Sequence, residues 1–536
     1  MNRVLLRAQA VALSVLLVPQ LRAQARPAAR PHTIEYAIAM PDVGSHLYSI
    51  TLTTSGLTGR PVNLQMPVWS PGRYGRMDFA KNVQDFAVSA ADGTPLRWDK
   101  VNGSLWRIFP GASRSLRVSY RVFANSPMSG TFSVLDSAHA NWNGASLFMY
   151  VEGHKQDPVT LDVTPPQDWT IMNGAVRSAG QRHFEFPNYD LLIDTPTEVA
   201  PAGSLMLDSF VVDDRTYRVM VHHNGTPPAG TRERFVRDVE KLVRYENTVF
   251  GPPPLEEYTF LFNIGFPGGD GMEHLYSTQI QNRRVWTDTA TVLPGITSAS
   301  HEYFHVWNVK RVRPAALGPF DYTREQYEPS LWVAEGWTQY YGMAALQRAG
   351  IEDTAAFYRS MAVLIQDNLT APGRKVTSAR MASFSAPFWD GAPQAQPTNF
   401  RNTFFDYYTK GAGIALYLDL FIRNRTGNTK SLDDAFNNLK QRSWNALPKA
   451  SYYLQGRGYT EDDVERAVSD AAGVNMHDWF ERHVGGTEDM DYDEALGWAG
   501  LKLVRADSGS WHFEVLPDAT PQQLQVRSGW LSGLAR

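Results

Sequence analysis

Cysteine is absent from this chain, which excludes disulfides, thiolate metal ligands and a cysteine nucleophile. Neither sign of charge is in excess: 51 Lys and Arg stand against 55 Asp and Glu, for a net charge of -4. With no Lys/Arg run either, a nucleic-acid partner or an anionic-membrane partner is not expected. Long apolar runs are missing too. The N-terminal apolar stretch is too short to span a bilayer and is broken by Arg7 and Gln9, and no later stretch could span one. Internal repeats and low-complexity tracts do not stand out.

What remains is the composition of a soluble globular protein, 43% hydrophobic and 20% charged, in 536 residues that allow two to four domains and sizeable cores. The first residues read as a signal peptide, 1–25. Arg3 supplies the charge, Ala10 to Val18 the apolar segment, and Ala23-Gln24-Ala25 a small-x-small cleavage site. Export to the periplasm or the medium is the expectation. Without disulfides, stability must then rest on the core alone.

From about 31 to 205 the pattern is β. Leu116 to Val122 alternates apolar and polar residues, and turn signals recur at Gly56-Leu57-Thr58-Gly59, Asp92-Gly93 and Pro165-Pro166. An antiparallel, sandwich-like domain is predicted. Within it, Met66-Pro67-Val68-Trp69-Ser70-Pro71-Gly72-Arg73-Tyr74 reads first as a structural turn, with substrate contact as the alternative. Phe235, Val239, Leu242 and Val243 then mark an amphipathic helix ending before Gly251-Pro252-Pro253-Pro254. Tyr258 to Ile264 is a strand, and residues from about 296 to 485 are mostly helical. Asp353 is a candidate N-cap, and Ser431 and Thr460 begin capping boxes with Asp in place of Glu. Residues 490 to 536 look like short strand-like pieces.

Three clusters carry chemistry. His301-Glu302-Tyr303-Phe304-His305 puts two imidazoles four residues apart on one helix face. Two neutral imidazoles and a carboxylate with an open fourth position form a catalytic zinc set. Glu335, in Leu331-Trp332-Val333-Ala334-Glu335-Gly336, is the expected third ligand. Glu302 is the expected general base toward a zinc-activated water. A bare H-E-x-x-H also arises by chance, but this one is followed by Val306-Trp307-Asn308 and a downstream Glu-Gly-aromatic element. The second cluster, Gly271-Met272-Glu273-His274, ends a glycine-rich turn. Glycine lets a backbone approach a ligand, and Glu273 could pair with a free α-ammonium, so Gly271, Met272 and Glu273 are the candidate substrate-binding residues. The third, Phe405-Asp406-Tyr407-Tyr408-Thr409-Lys410-Gly411, could offer a tyrosine hydroxyl to a tetrahedral oxyanion. Without other evidence both tyrosines would read as core aromatics.

In this order these strings resemble the glycyl aminopeptidase family of zinc metallopeptidases, of gluzincin type and distantly related to the aminopeptidase N family. The resemblance also covers Met66 to Gly72, Tyr189-Asp190-Leu191-Leu192-Ile193-Asp194-Thr195-Pro196 and the continuation Val306 to Arg311, about residues 31 to 505 in all. It implies an α+β protein: an N-terminal antiparallel β domain (31–205), then a thermolysin-like, mostly α-helical zinc peptidase domain (206–490). It further implies one Zn2+ held by His301, His305 and Glu335, with Glu302 as base, Tyr408 steadying the tetrahedral intermediate and Glu273 anchoring the amino group. His274 stands where aminopeptidase N relatives usually have Asn. The implied activity is removal of N-terminal residues, glycine and alanine favoured, from peptides with a free N-terminus. Family members usually carry a C-terminal PDZ domain. Here 491–536 is expected to be a truncated PDZ-like tail that opens at Gly500-Leu501-Lys502-Leu503-Val504. An endopeptidase of the same fold, in which Glu273 is merely structural, and an exported binding protein without catalysis are the alternatives. The sequence does not give the oligomeric state.

Overall fold

The computed structural model describes residues 33–126, 130–175, 181–391, 397–446, 456–507 and 509–534. The expected signal peptide lies outside them. In the N-terminal region a six-stranded sheet has the spatial order His183–Phe186, Val159–Thr164, Ile34–Ala39, Leu47–Ser55, Ser115–Phe123, Val83–Ala90. Strand Ser115–Phe123 shows how the sequence builds it: Leu116, Val118, Tyr120 and Val122 are buried while Arg117, Ser119 and Arg121 face out. The expectation of an antiparallel domain needs one amendment. Ile34–Ala39 pairs with Val159–Thr164 in parallel, because the chain returns to that strand only after building the rest of the layer. A four-stranded sheet packs against the first through Phe86, whose ring lies 4.8 Å from Trp98 and 5.3 Å from Trp106. A further four-stranded sheet, containing Ala140–Trp142 and Thr197–Pro201, leads into the rest of the chain.

The next sheet has five strands in the order Leu205–Val212, Arg215–His223, Glu257–Ile264, Ser277–Asn282, Gly269–Glu273. Helix Thr231–Phe250 makes the crossover between the parallel strands Arg215–His223 and Glu257–Ile264, burying Phe235, Val239, Leu242 and Val243. Gly269–Glu273 pairs only with Ser277–Asn282 and is therefore an edge strand. Helix Leu293–Phe304 packs on this sheet and on helix Thr338–Arg348, and helices fill most of the remainder. Asp353 caps helix Thr354–Thr370, and Ser431 with Asp434, and Thr460 with Asp463, form the two capping boxes. The result is a mixed α+β protein, β sheets first and helices after. Among the described residues no helix is long and apolar enough to cross a membrane.

The C-terminal segment is more helical than its sequence suggested. Helix Tyr492–Trp498 precedes a hairpin of Leu501–Arg505 and Trp511–Val515, and helix Pro521–Ser532 follows. Thr520, with Pro521 at the first turn and Gln523 at the third position, caps that last helix. Trp530 is fully buried, its indole N–H donates to Tyr340 Oη at 2.9 Å, and its carbonyl accepts from Arg348 at 2.8 Å. Tyr340 and Arg348 belong to the helix that follows Glu335, so the tail braces that helix. Trp530→Ala is expected to lower the unfolding free energy by about 3–5 kcal/mol in denaturant titrations. A loss under about 1 kcal/mol would mean that the tail is peripheral to the fold.

Candidate active site

His301 occupies the last turn of helix Leu293–Phe304 and His305 is its C-cap, still in helical conformation, so both imidazoles reach one point. Their Nε2 atoms lie 3.1 Å apart. Glu335 comes from a π-helical turn, Trp332–Trp337, that runs into helix Thr338–Arg348. Such turns are frequent at functional sites because the extra residue re-aims side chains. Glu335 Oε2 sits 3.4 Å from His301 Nε2 and 3.2 Å from His305 Nε2. With metal–ligand bonds of about 2.0–2.2 Å, a tetrahedral ion needs its ligand atoms roughly 3.3 Å apart. All three separations fit that spacing.

The electrostatics favour positive charge there, which a proton on His305 or a bound cation can supply. His305 Nδ1 donates to the Asn308 carbonyl at 2.5 Å, which leaves Nε2 to face Glu335. Burial disfavours charge on His305, yet Glu335 and Glu273 outweigh it and raise the imidazole to about 10. Burial likewise opposes ionisation of Glu335, but His305 and His301 hold its carboxyl well below the usual range. Burial lowers His301 and favours its neutral form. Glu302 is pushed well above the usual carboxylate range, first by burial and further by Glu273, Glu335 and Asp270, with His305 opposing.

A second buried group, His139, Glu198 and His222, could be taken for another metal site. Its spacing argues otherwise. The two Nδ1 atoms stand 2.9 and 2.7 Å from Glu198 Oε1, and Asn141 Nδ2 donates to Oε2 at 2.8 Å. Those are hydrogen bonds, and they tie strand Thr197–Pro201 to strand Arg215–His223.

Around the His301–His305–Glu335 point lies a cleft of about 360 Å³. Glu302, Tyr408, Glu273 and Gly271 line it, as the sequence led one to expect. Met272 does not. On the edge strand it alternates with Gly271 and Glu273, so its side chain turns away and is fully buried. Tyr408 reaches the cleft because helix Tyr407–Arg425 crosses the Glu335 turn at very close range: a Cβ on Gly336 would fall 2.4 Å from Gly411 Cα. Only glycine on both helices permits that approach.

Several lining or supporting residues were missed. The Met66–Tyr74 loop, read first as a structural turn, brings Gly72 and Arg73 into the cleft wall. It does turn, with Arg73 N–H donating to the Ser70 carbonyl at 3.0 Å, but its tip reaches the site. Arg73 pairs with Asp270 and, at 3.3 Å, with Asp390; Tyr74 donates to Glu335 Oε1 at 2.7 Å. Asp194, in the Tyr189–Pro196 string, accepts from His274 Nδ1 at 3.0 Å, Lys310 Nζ at 2.9 Å and the Leu275 N–H at 2.8 Å. It thus fastens the residue after Glu273, and His274 acts as part of that tie. The loop string was visible in the sequence; its partners, hundreds of residues away, were not.

Comparison with known proteins agrees with this geometry. Residues 35–201 match the Peptidase M61 N-terminal domain and residues 295–414 match M61 glycyl aminopeptidase. Together these span just over half of the chain. No curated protein matches it. Among solved structures, the aminopeptidase N family protein from Idiomarina loihiensis is similar at 26% identity, with a TM-score of 0.78 over 88% of this chain and 79% of that one. The chain belongs to the M61 glycyl aminopeptidase family and is a peptide hydrolase.

Proposed function

We propose that the protein is a zinc-dependent aminopeptidase that removes single residues from the free N-terminus of peptides, with glycine and alanine favoured by the family resemblance. The observation that carries this reading is Oε1 of Glu273, buried and without a hydrogen-bond donor among the described residues. Such an oxygen is costly to leave unmet, and an α-ammonium supplies both donor and opposite charge. Side-chain ligand atoms of Glu273, Glu302 and His305 lie within 4.8 Å of one another. That closeness supports seating the first residue of a peptide between Glu273 and the His301–His305–Glu335 point. Arg73, beside Glu273 in the cleft wall, is paired with Asp270 and Asp390. The place of strand Gly269–Glu273 at the edge of its sheet further supports an extended peptide as ligand.

His301, His305 and Glu335 would hold one zinc ion per chain. When bound, zinc supplies Lewis acidity, activating a water and polarising the carbonyl under attack. Glu302 takes the proton of the attacking water and delivers that proton to the leaving amine as the C–N bond breaks. Tyr408 donates a hydrogen bond to the carbonyl oxygen as negative charge develops there. Burial, with Glu335 and Asp390 nearby, keeps its hydroxyl protonated.

Helix Leu293–Phe304 beside the edge strand supports the thermolysin-like reading of the helical region. For residues 491–536 the PDZ-like reading is supported by strand Leu501–Arg505 and its pairing alone. Export rests on the N-terminal sequence.

Three substitutions test the assignment. Glu302→Gln should cut kcat by about 10²–10⁴-fold while bound zinc, measured by elemental analysis, stays at one per chain; unchanged turnover would remove Glu302 as the base. Glu273→Gln should lower kcat/KM for free-amine peptides by about ten- to a hundredfold, mostly through KM, and an unaffected KM would count against the amine anchor. A Cβ at Gly271 would lie 1.9 Å from Glu302 Oε1. Gly271→Ala should therefore displace the base and cost about a hundredfold in kcat, with zinc retained; wild-type kcat would show that the carboxylate does not work from this position.

A further inference from the structure

The loop tip at Ser70–Tyr74 belongs to the N-terminal β region, yet its contacts lie in the cleft. Arg73 bridges Asp270, which opens the edge strand's Gly271–Glu273 segment, and Asp390 from the helical region. The Tyr74 N–H donates to the other oxygen of Asp390 at 2.9 Å, which fixes the backbone of the tip. Tyr74 itself is 3% exposed, its ring set edge-on to Tyr407 with centroids 6.3 Å apart. From there its hydroxyl donates to Glu335 Oε1 at 2.7 Å.

This contact divides the Glu335 carboxylate. Oε1 is occupied by the phenol, while Oε2 faces the two imidazoles at 3.2 and 3.4 Å. A carboxylate that ligates a metal is ordinarily oriented by a hydrogen bond to its other oxygen, and losing that partner typically costs ten- to a hundredfold in metal affinity. Against a carboxylate oxygen, which can only accept, the Tyr74 hydroxyl is the donor. The neighbouring Tyr407 hydroxyl is also buried but has no hydrogen-bond partner among the described residues. It offers a matched comparison.

We infer that Tyr74 is a positioning residue for the metal centre: its hydroxyl turns Glu335 so that Oε2 alone points at the ion, which makes the N-terminal β region a working part of the peptidase site. The inference rests on the zinc reading above. Its role is to set metal affinity through Glu335, without touching substrate.

The test is equilibrium zinc affinity of the full chain, by competition with a chromophoric chelator, for wild type, Tyr74→Phe, Tyr407→Phe and Glu335→Ala. Melting curves of the metal-free proteins check that each is folded. Each phenylalanine variant removes one hydroxyl and keeps the ring. Tyr74→Phe should weaken zinc by about ten- to a hundredfold, Tyr407→Phe should stay within about twofold of wild type, and Glu335→Ala should lose more than either. If Tyr74→Phe binds zinc like wild type while Glu335→Ala does not, the inference falls and the zinc reading stands. Equal weakening by both phenylalanine variants would assign the effect to packing and also overturn it. Undiminished binding by Glu335→Ala would overturn the inference together with the zinc assignment.

Discussion

Two imidazole nitrogens and a carboxylate oxygen held 3.1–3.4 Å apart in a buried site need a proton or a cation among them. Much of the surrounding structure serves to bring those atoms together. A helix end supplies two imidazoles, a π-helical turn supplies the carboxylate, and the Asn308 carbonyl fixes which nitrogen of His305 faces inward. The glycine pair at Gly336 and Gly411 lets a further helix pass close enough to add Tyr408. Trp530, from the far end of the chain, braces the helix that continues from Glu335.

The same logic explains why β sheets and helices form one compact unit. Ties between the two regions run through buried or partly buried carboxylates. Glu198 joins His139 to His222, Asp194 gathers His274 and Lys310, and Arg73 links Asp270 with Asp390. Breaking one partner of such a group strands a charge in low dielectric, which is far costlier than losing a surface pair. These ties fix the edge strand, and hence Glu273, relative to the His301 helix. In the proposed function, substrate register depends on that spacing.

How much of this was legible in the sequence follows from the range of each interaction. His301, Glu302 and His305 are set by one helical period, and the capping boxes at Ser431 and Thr460 by three residues; both could be read directly. Glu335 could be proposed because it opens a second helix-like segment and is followed by an aromatic-rich run. Tyr74 and Glu335 are 261 residues apart, and Arg73 and Asp390 are 317 apart. No local pattern encodes such meetings, so the loop string was noticed and its role was not. Met272 was misjudged for a different reason: a motif gives the neighbours of Glu273, but strand alternation decides which of them face the cleft. The last helix had its signals, Thr520-Pro521 followed by Gln523, yet a weak apolar face concealed it.

The most direct test of the central claim uses wild-type protein and paired substrates. Glycyl- and alanyl-p-nitroanilide are compared with their N-acetyl forms, before chelation, after it, and after zinc is returned. Release from the free amines alone, abolished by chelator and restored by zinc, is the expected result. Comparable release from the acetylated forms, or activity indifferent to the chelator, would contradict an amine-anchored zinc aminopeptidase.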